Sequence, residues 1–303
     1  MIMHKDELAV HDLMNTREVA DYLRIKERKV YDLVRTKRIP CTRVTGKWLF
    51  PKQLIDQWVA QASAYPVSAR SRPTPSTVVG SHDPLLEWAV RESGSELATM
   101  SGGSLDGLRR MAAGEAAMCG LHVLDGDTDT YNVPVVAEFC KGLDAVLIEW
   151  AWRDQGLVLA AGNPLDIHSF EDLKAKKARI VTRQHEAGSQ LLLVHLLSAA
   201  GIRLGDLEVS TQPARSETDL ALAVLEGKAD AGVAVAAVAR QFRLDFIPIK
   251  RERYDLLIRR REYFEPSVQR LLTFARSPSF QSRASEMAGY DIAGIGNVVY
   301  NVP

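Results

Sequence analysis

Between Gln61 and Ser76 the chain reads QASAYPVSARSRPTPS, and a run of Pro, Ser and Arg without apolar periodicity buries too little surface to order itself. It reads as an exposed linker dividing the 303 residues into a short head and a long body, each of which needs its own core. The expected organisation is a head over 1–60, a linker over 61–76 and a body over 77–303. With 46% hydrophobic and 25% charged residues the composition is that of ordinary globular protein, which excludes disorder as the rule outside the linker and the ends.

The formal net charge is zero, so binding to nucleic acid has to come from local asymmetry. That asymmetry lies in the head, where Asn15–Lys52 holds 11 Lys or Arg against 4 Asp or Glu. Cys41, Cys119 and Cys140 lack the short spacing that clamps zinc, and an odd number does not close a disulfide framework. No metal or other cofactor is called for. The start, MIMHKDELAVHDL, lacks a basic stretch followed by an apolar one, and no run approaches the ~18 apolar residues of a membrane span. A cytoplasmic protein without membrane contact is expected.

In the head, Asn15-Thr16-Arg17-Glu18 has the spacing of a capping box. The helix it starts carries Val19, Ala20 and Leu23 as one apolar stripe and breaks at Arg24-Ile25. A second helix has Val30, Leu33 and Val34 on one side, with Lys26, Glu27, Arg28, Lys29, Tyr31 and Arg35 mostly on the other, and stops before Ile39-Pro40. Two β-like runs around Gly46, from Thr42 to Phe50, make a small wing. Pro51 is expected to open a closing helix with Leu54, Ile55 and Trp58 inward. Helix, turn, basic helix, wing and helix is a DNA-binding layout, because a helix fits the major groove and cations neutralise phosphates.

TREVADYL (Thr16–Leu23), VYDLVRTKRIP (Val30–Pro40), VTGKWLF (Val44–Phe50) and LIDQW (Leu54–Trp58) resemble the excisionase-type branch of the MerR-like winged helix-turn-helix domains. The resemblance implies double-stranded DNA as partner. It places Lys26, Arg28, Lys29 and Tyr31 toward the groove, with Thr16 and Arg35 beside them and Arg43 and Lys47 on wing phosphates. A Lys stands at position 26 where the family usually caps the helix with Ser or Thr, and Thr45 precedes the wing glycine. For Arg28 and Lys29 taken singly, a merely solvated helix face is an equally open reading.

From Thr77 short apolar runs alternate with helical ones, the pattern of parallel βα units in an α/β protein. The runs Thr77–Gly80, Leu97–Met100 and Ala116–Val123 each end in small or polar residues, Ser81, Gly103-Ser104 and His122. Ligands of open α/β sheets bind outside such strand ends, where helix N-termini favour anions; Ser81 and Ser104 as simple N-caps are the plainer alternative. Asp144–Trp152, Gln155–Pro164, Ala178–Thr182 and Ala229–Val233 continue the pattern, and Phe246–Ile249 with Tyr254–Ile258 looks like a return to the first lobe.

GSHDP (Gly80–Pro84), GSLDGLRRMAAGEA (Gly103–Ala116), GLH (Gly120–His122), YNVP (Tyr131–Pro134), QGLVLAAGNP (Gln155–Pro164), SFEDL (Ser169–Leu173), VTRQHEAGS (Val181–Ser189), ADAG (Ala229–Gly232) and ERYDL (Glu252–Leu256) resemble the type-II periplasmic-binding-protein fold. More narrowly they resemble the domain related to molybdate and tungstate binders that bacteria fuse to excisionase-type heads. The resemblance implies two lobes, about 77–150 plus 246–303 and about 151–245, closing on a small anion, molybdate or tungstate. Arg183 and Ser189 would hold it, in a cleft with Ser81, His82, Gly103, Ser104, His122, Gly188 and Asp230. Asp83 stands where tungstate binders have Ser or Thr, and repels a dianion unless it caps its helix; His122 is open between ligand contact and local hydrogen bonding.

The whole reads as a one-component transcriptional regulator and not an enzyme, acting as a homodimer because two heads set a half-site spacing. The alternatives are a sensor of an organic anion or a molybdenum-cofactor-related compound, and a cleft enzyme built on Asp83, His82, His122, His185, Glu186 and Asp230; an architectural protein is a third.

Overall fold

The computed structural model describes residues 13–44, 46–62 and 74–302, which fall into two compact units, one on each side of residues 63–73. Most of the expected linker, and Thr45 of the wing, lie outside the described residues; Gln61 and Ala62 continue a helix.

The head runs β1 (Leu13–Met14), α1 (Thr16–Leu23), α2 (Glu27–Arg35), β2 (Thr42–Val44), β3 (Lys47–Pro51) and α3 (Lys52–Ala62), with β3 central in an antiparallel three-stranded sheet. The capping box forms. Asn15 Oδ1 accepts from the Arg17 and Glu18 N–H groups at 2.9 and 3.0 Å, and Glu18 Oε2 accepts from Asn15 N–H at 2.8 Å, an arrangement worth about 1 kcal/mol. Arg24, at φ 54°, ends α1 in the left-handed conformation, and α2 starts after Lys26 with no side-chain cap. Val19, Ala20, Val30, Ile39, Phe50 and Ile55 form the core. Two expectations shift by a residue or a face: Pro51 still pairs with Leu13 as the last residue of β3, and Leu54 is 46% exposed because α3 turns Ile55 inward.

The body opens with β4 (Thr77–Gly80), α4 (Pro84–Glu92), β5 (Ala98–Ser101), α5 (Ser104–Ala113) and β6 (Met118–Leu121), followed by a small hairpin, β7 (Leu124–Asp125) and β8 (Thr130–Tyr131), and α6 (Val133–Phe139). Then comes β9 (Ala145–Leu159). The second lobe holds α7 (Phe170–Ala175), β10 (Arg179–Val181), α8 (Gly188–Ala199), β11 (Glu208–Val209), α9 (Glu217–Leu225), β12 (Ala231–Val235) and α10 (Ala236–Gln241). The chain returns through β13 (Asp245–Arg259) and closes with α11 (Arg260–Tyr263), α12 (Pro266–Phe274), α13 (Pro278–Glu286), β14 (Tyr290–Asp291) and β15 (Val298–Asn301).

The strand order β11-β10-β12-β9-β13-β6-β4-β5, with β14 and β15 also on β9, makes one ten-stranded sheet. Its middle pair, β9 and β13, are antiparallel and fifteen residues each. Their outer halves belong to different lobes: Gln155–Leu159 pairs with β12, whereas Asp255–Ile258 pairs with β6. Where two separate segments are expected on each side, single strands run through. The return at Phe246 is still paired with Val158 beside β12, and the chain changes lobe only past the register shift at Pro248/Lys250. Apolar side chains cover both faces in each lobe. Trp150, Leu85, Tyr254 and Phe280 pack on one side of the first and Leu108, Met111, Leu121 and Leu147 on the other; Val158, Leu220 and Val238 lie on one side of the second lobe, Leu159, Ile180 and Leu197 on the other. Each such side chain, fully buried, contributes ~1.5–3 kcal/mol.

Candidate nucleic-acid interface and ligand seam

On the head, α2 buries Val30 and half-buries Leu33 and Val34, which leaves Arg28, Tyr31 and Arg35, spaced i, i+3, i+7, on its outward side. Tyr31 is 51% exposed; Arg35 has a solvent-exposed partner in Asp32 at 3.1 Å. Lys26 precedes the helix and Lys29 lies at the edge of that side, both exposed. In the wing Arg43 lies over the Trp48 ring at 5.3 Å and Lys47 is exposed, while Thr16 opens α1 and is half-buried. A contact absent from the sequence reading ties α1 to α3: Tyr22 Oη donates to Asp56 at 2.6 Å and Lys52 Nζ sits 2.9 Å from the same carboxylate.

In the body the C-terminal ends of β4, β5 and β6 bring Ser81, Gly103-Ser104 and His122 together, as parallel strands with one hand of crossover must. Ser81 Oγ and Ser104 Oγ are 2.8 Å apart, and Ser104 Oγ accepts the His122 backbone N–H at 3.3 Å. From the second lobe the loop after β10 brings Glu186, Ala187, Gly188 and Ser189 against them. Leu105 N–H donates to the Glu186 carbonyl at 3.4 Å, and Arg109 pairs with the Glu186 carboxylate across the seam.

Two glycines make this approach possible. A Cβ on Gly103, whose φ is +106°, would lie 2.7 Å from Glu186 O, and one on Gly188 would lie 2.4 Å from His122 O and 2.8 Å from His122 Nε2. The lobes are therefore closed on each other, with the starts of α5 and α8 facing across the seam. Ser189, 1% exposed, has an Oγ without a hydrogen-bond partner among the described residues.

Beneath the seam lies a buried ionic cluster that no motif announces. Arg153 of β9, 0% exposed, donates from Nη1 to Asp83 Oδ2 at 2.8 Å and from Nη2 to Glu252 Oε1, and its guanidinium lies 4.4 Å over the Tyr254 ring. Glu252 of β13 also accepts from Gln155 Nε2 at 2.9 Å and meets His122 Nδ1 at 2.7 Å. Burial pushes the Glu252 carboxyl up, but the Arg153 charge and His122 pull it down further, to about 2, so it is ionised. Burial, with Asp83 nearby, drives the Tyr254 and Tyr290 hydroxyls well up, so both stay neutral. Asp83 resolves the question its position raises. Oδ1 caps α4 through Leu86 N–H at 2.6 Å, and Oδ2 accepts from Arg153 and from the Tyr290 hydroxyl.

Three expected contacts lie elsewhere. Arg183 turns its guanidinium into its own lobe, to Glu217 at 2.7 Å and the carbonyls of Ala214 and Arg215 at 3.2 Å, so its charge is already met. His82 points at Glu87, 3.0 Å away, and lines a cavity of 70 Å³ with Ser81, Asp83, Thr99 and Ser101. Asp230 precedes β12, at the opposite strand end from the seam, and holds Arg179. Among the described residues no group of His, Cys, Asp and Glu is arranged to hold a metal ion, and no helix is long and apolar enough to cross a membrane.

Residues 13–63 match the profile of a helix-turn-helix domain, and residues 87–276 that of a PBP superfamily domain. The uncharacterized protein YvgK of Bacillus subtilis (strain 168) is 27% identical over 301 residues, spanning 93% of this chain and 96% of the relative. An uncharacterized protein from the 5′ region of a 2Fe-2S ferredoxin gene of Clostridium pasteurianum is 26% identical over 110 residues, 36% of this chain and 97% of that protein. Among solved structures, the periplasmic binding protein BugD aligns with a TM-score of 0.51 at 12% identity, covering 72% of this chain and 87% of its own. The sulfate-binding protein SubI of Mycobacterium tuberculosis H37Rv aligns at 0.50 and 16%, covering 72% and 86%.

Proposed function

We propose, for a chain that belongs to the PBP superfamily and carries a helix-turn-helix head, a regulator whose grip on DNA responds to a small oxyanion held between the lobes of the body. The coarser statement, a DNA-binding regulator with a ligand-binding domain, follows from the two domains; the ligand is our reading. Molybdate or tungstate is the proposed ligand.

One observation carries it. The starts of α5 and α8 meet at the seam: the Ser81 and Ser104 hydroxyls lie 2.8 Å apart on one side, and on the other Gly188 is followed by Ser189, whose buried hydroxyl has no partner among the described residues. Neutral donors at helix ends hold a fully ionised tetrahedral anion, which brings acceptors on every side and no proton to place. On this reading Arg183 braces the loop that delivers Ser189 and does not itself touch the anion. Asp83 turns its two oxygens to its helix cap and to Arg153, which it shares with Glu252.

The lobes turn on β9 and β13, the two strands common to both, so ligand shifts an equilibrium between parted and closed forms. Two copies of the chain present two heads to successive major grooves. Melting the purified protein with sodium molybdate, tungstate and sulfate tests the ligand: at 100 times Kd the stabilisation is about 2.7 kcal/mol. No shift with any of the three overturns the oxyanion reading. Duplex affinity measured with and without the stabilising anion tests the regulator, and equal affinities overturn it.

A further inference from the structure

The seam has a charge problem that the anion would make worse. Every arginine beside it has a carboxylate partner: Arg153 has Asp83 and Glu252, Arg183 has Glu217, and Arg109 has Glu186. The last two pairs cancel. In the buried cluster two carboxylates face one guanidinium, so with a neutral His122 the floor of the seam carries one negative charge. Asp83, Arg153 and Glu252 are each 2% exposed or less, which leaves solvent little part in screening it. A dianion arriving there meets repulsion, and no free cation among these residues offsets it.

His122 is placed to supply the missing charge. Its Nδ1 lies 2.7 Å from Glu252 Oε2, and an ionised carboxylate only accepts, so Nδ1 carries a hydrogen in both protonation states. The titrating nitrogen is then Nε2. With Cε1 it is one of two ring atoms that a Cβ on Gly188 of the second lobe would meet at 2.8 Å, and the residue after Gly188 is Ser189, whose buried hydroxyl has no partner among the described residues. The ring stacks on Tyr254 at 5.8 Å, whose hydroxyl donates to the Ser81 carbonyl and is neutral. Without ligand, a proton on Nε2 would face the positive start of α8. With an anion in the seam, the same proton would be a hydrogen-bond donor to it.

We infer that the anion's counter-charge is a proton taken from solution by His122 Nε2, so that binding of the ligand and protonation of this ring are one event. The inference rests on the oxyanion reading above. The proton comes from buffer and returns to it on release, and no covalent bond other than N–H is made or broken. The anion selected is one that stays fully ionised beside an imidazolium and accepts its hydrogen; a protonated monoanion would duplicate that donor and lose the contact.

The test is isothermal titration of sodium molybdate, tungstate and sulfate into the full-length protein at pH 8, in buffers of different ionisation enthalpy. Uptake of close to one proton per anion is expected, with affinity falling as pH rises from about 7.5 to 9, because the proton bound with the anion becomes scarcer. His122→Gln keeps a side-chain amide near the anion but cannot take a proton, and should bind more weakly with no uptake and no pH dependence. The wild-type measurement stands alone if that variant does not fold. Binding without proton uptake in the wild type, or undiminished uptake in His122→Gln, overturns this inference and leaves the oxyanion reading standing; no heat with any of the three anions overturns both.

Discussion

Replacing Arg153 by Met should expose how much of the body rests on this buried cation. The side chain is wholly buried and answers Asp83 at 2.8 Å and Glu252 through its other terminal nitrogen. Removing one partner of a buried ion pair costs ~3–5 kcal/mol, because the other charge is left without compensation. Here two carboxylates are left, and the cheapest relief is to protonate one of them. For a group with an ordinary value near 4.5 that costs about 3.4 kcal/mol at pH 7 and about 0.7 at pH 5.

The expected loss is therefore about 4 kcal/mol at pH 7, shrinking to roughly 1 at pH 5. With a denaturant slope of roughly 2–3 kcal/mol per molar urea, the midpoint moves down by about 1.5–2 M at pH 7. Urea unfolding followed by tryptophan fluorescence at pH 5, 6 and 7 reads it. Arg153→Met combined with Glu252→Gln and Asp83→Asn should recover most of the loss and flatten its pH dependence. A single variant that loses less than about 1 kcal/mol at pH 7, or the same amount at both ends of the range, refutes the reasoning.

Gly188→Ala puts a methyl group against a backbone carbonyl and a packed ring, so the lobes have to part; overpacking of about 1–3 kcal/mol should weaken anion binding about 10–100-fold while the urea midpoint stays put, and unchanged affinity counts against closure at this point. Burial raises the Asp255 carboxyl from 3.8 to about 6 against the pull of Arg253 and Asn132. The folded state then holds the extra proton between those values, so stability falls as pH rises through them, by ~3 kcal/mol, and Asp255→Asn should abolish that slope. Glu252, held at about 2 from 4.5, acts in the opposite sense, with stability lost as pH falls from 4.5 toward 2; acid titrations of Glu252→Gln lacking this loss are expected. On the head, Arg28→Ala with Lys29→Ala should weaken duplex binding and lower the salt slope by about 1.8; an unchanged slope would place the phosphate contacts elsewhere.

What sequence could disclose here was local. Asn15 and Glu18 are three residues apart and their box is written in the chain; Gly103-Ser104 and Gly188-Ser189 mark helix starts by the residue types such starts need. Arg153 and Glu252 carry no such mark. They are 99 residues apart, inside segments that read WAWRDQG and IKRERYD, and only the pairing of β9 with β13 makes them neighbours. The same polar residues disguised the strands themselves. Arg153-Asp154 looks like a break between two apolar runs, yet the strand goes on through it because this stretch crosses between the lobes, where polar groups have partners. Arg183 misled for the converse reason: its place in the loop was legible, but Glu217, which takes up its charge, lies 34 residues on. Closure is also a long-range property, visible only when the missing Cβ atoms of Gly103 and Gly188 are set against the lobe opposite.

The shared strands also govern the order in which the body can be made. β4, β5 and β6 leave the ribosome early and pair among themselves, but the inner flank of β6, Met118–Leu121, has no neighbour until Asp255–Ile258 has been synthesised. All four of those residues are fully buried in the finished fold. At the roughly 5–20 residues per second of translation, that apolar flank stays open for on the order of ten seconds. A nascent chain stalled anywhere in the second lobe thus presents an unpaired strand of the kind that recruits other chains, and the second lobe, whose own strands come between the two long ones in chain order, can finish before the first.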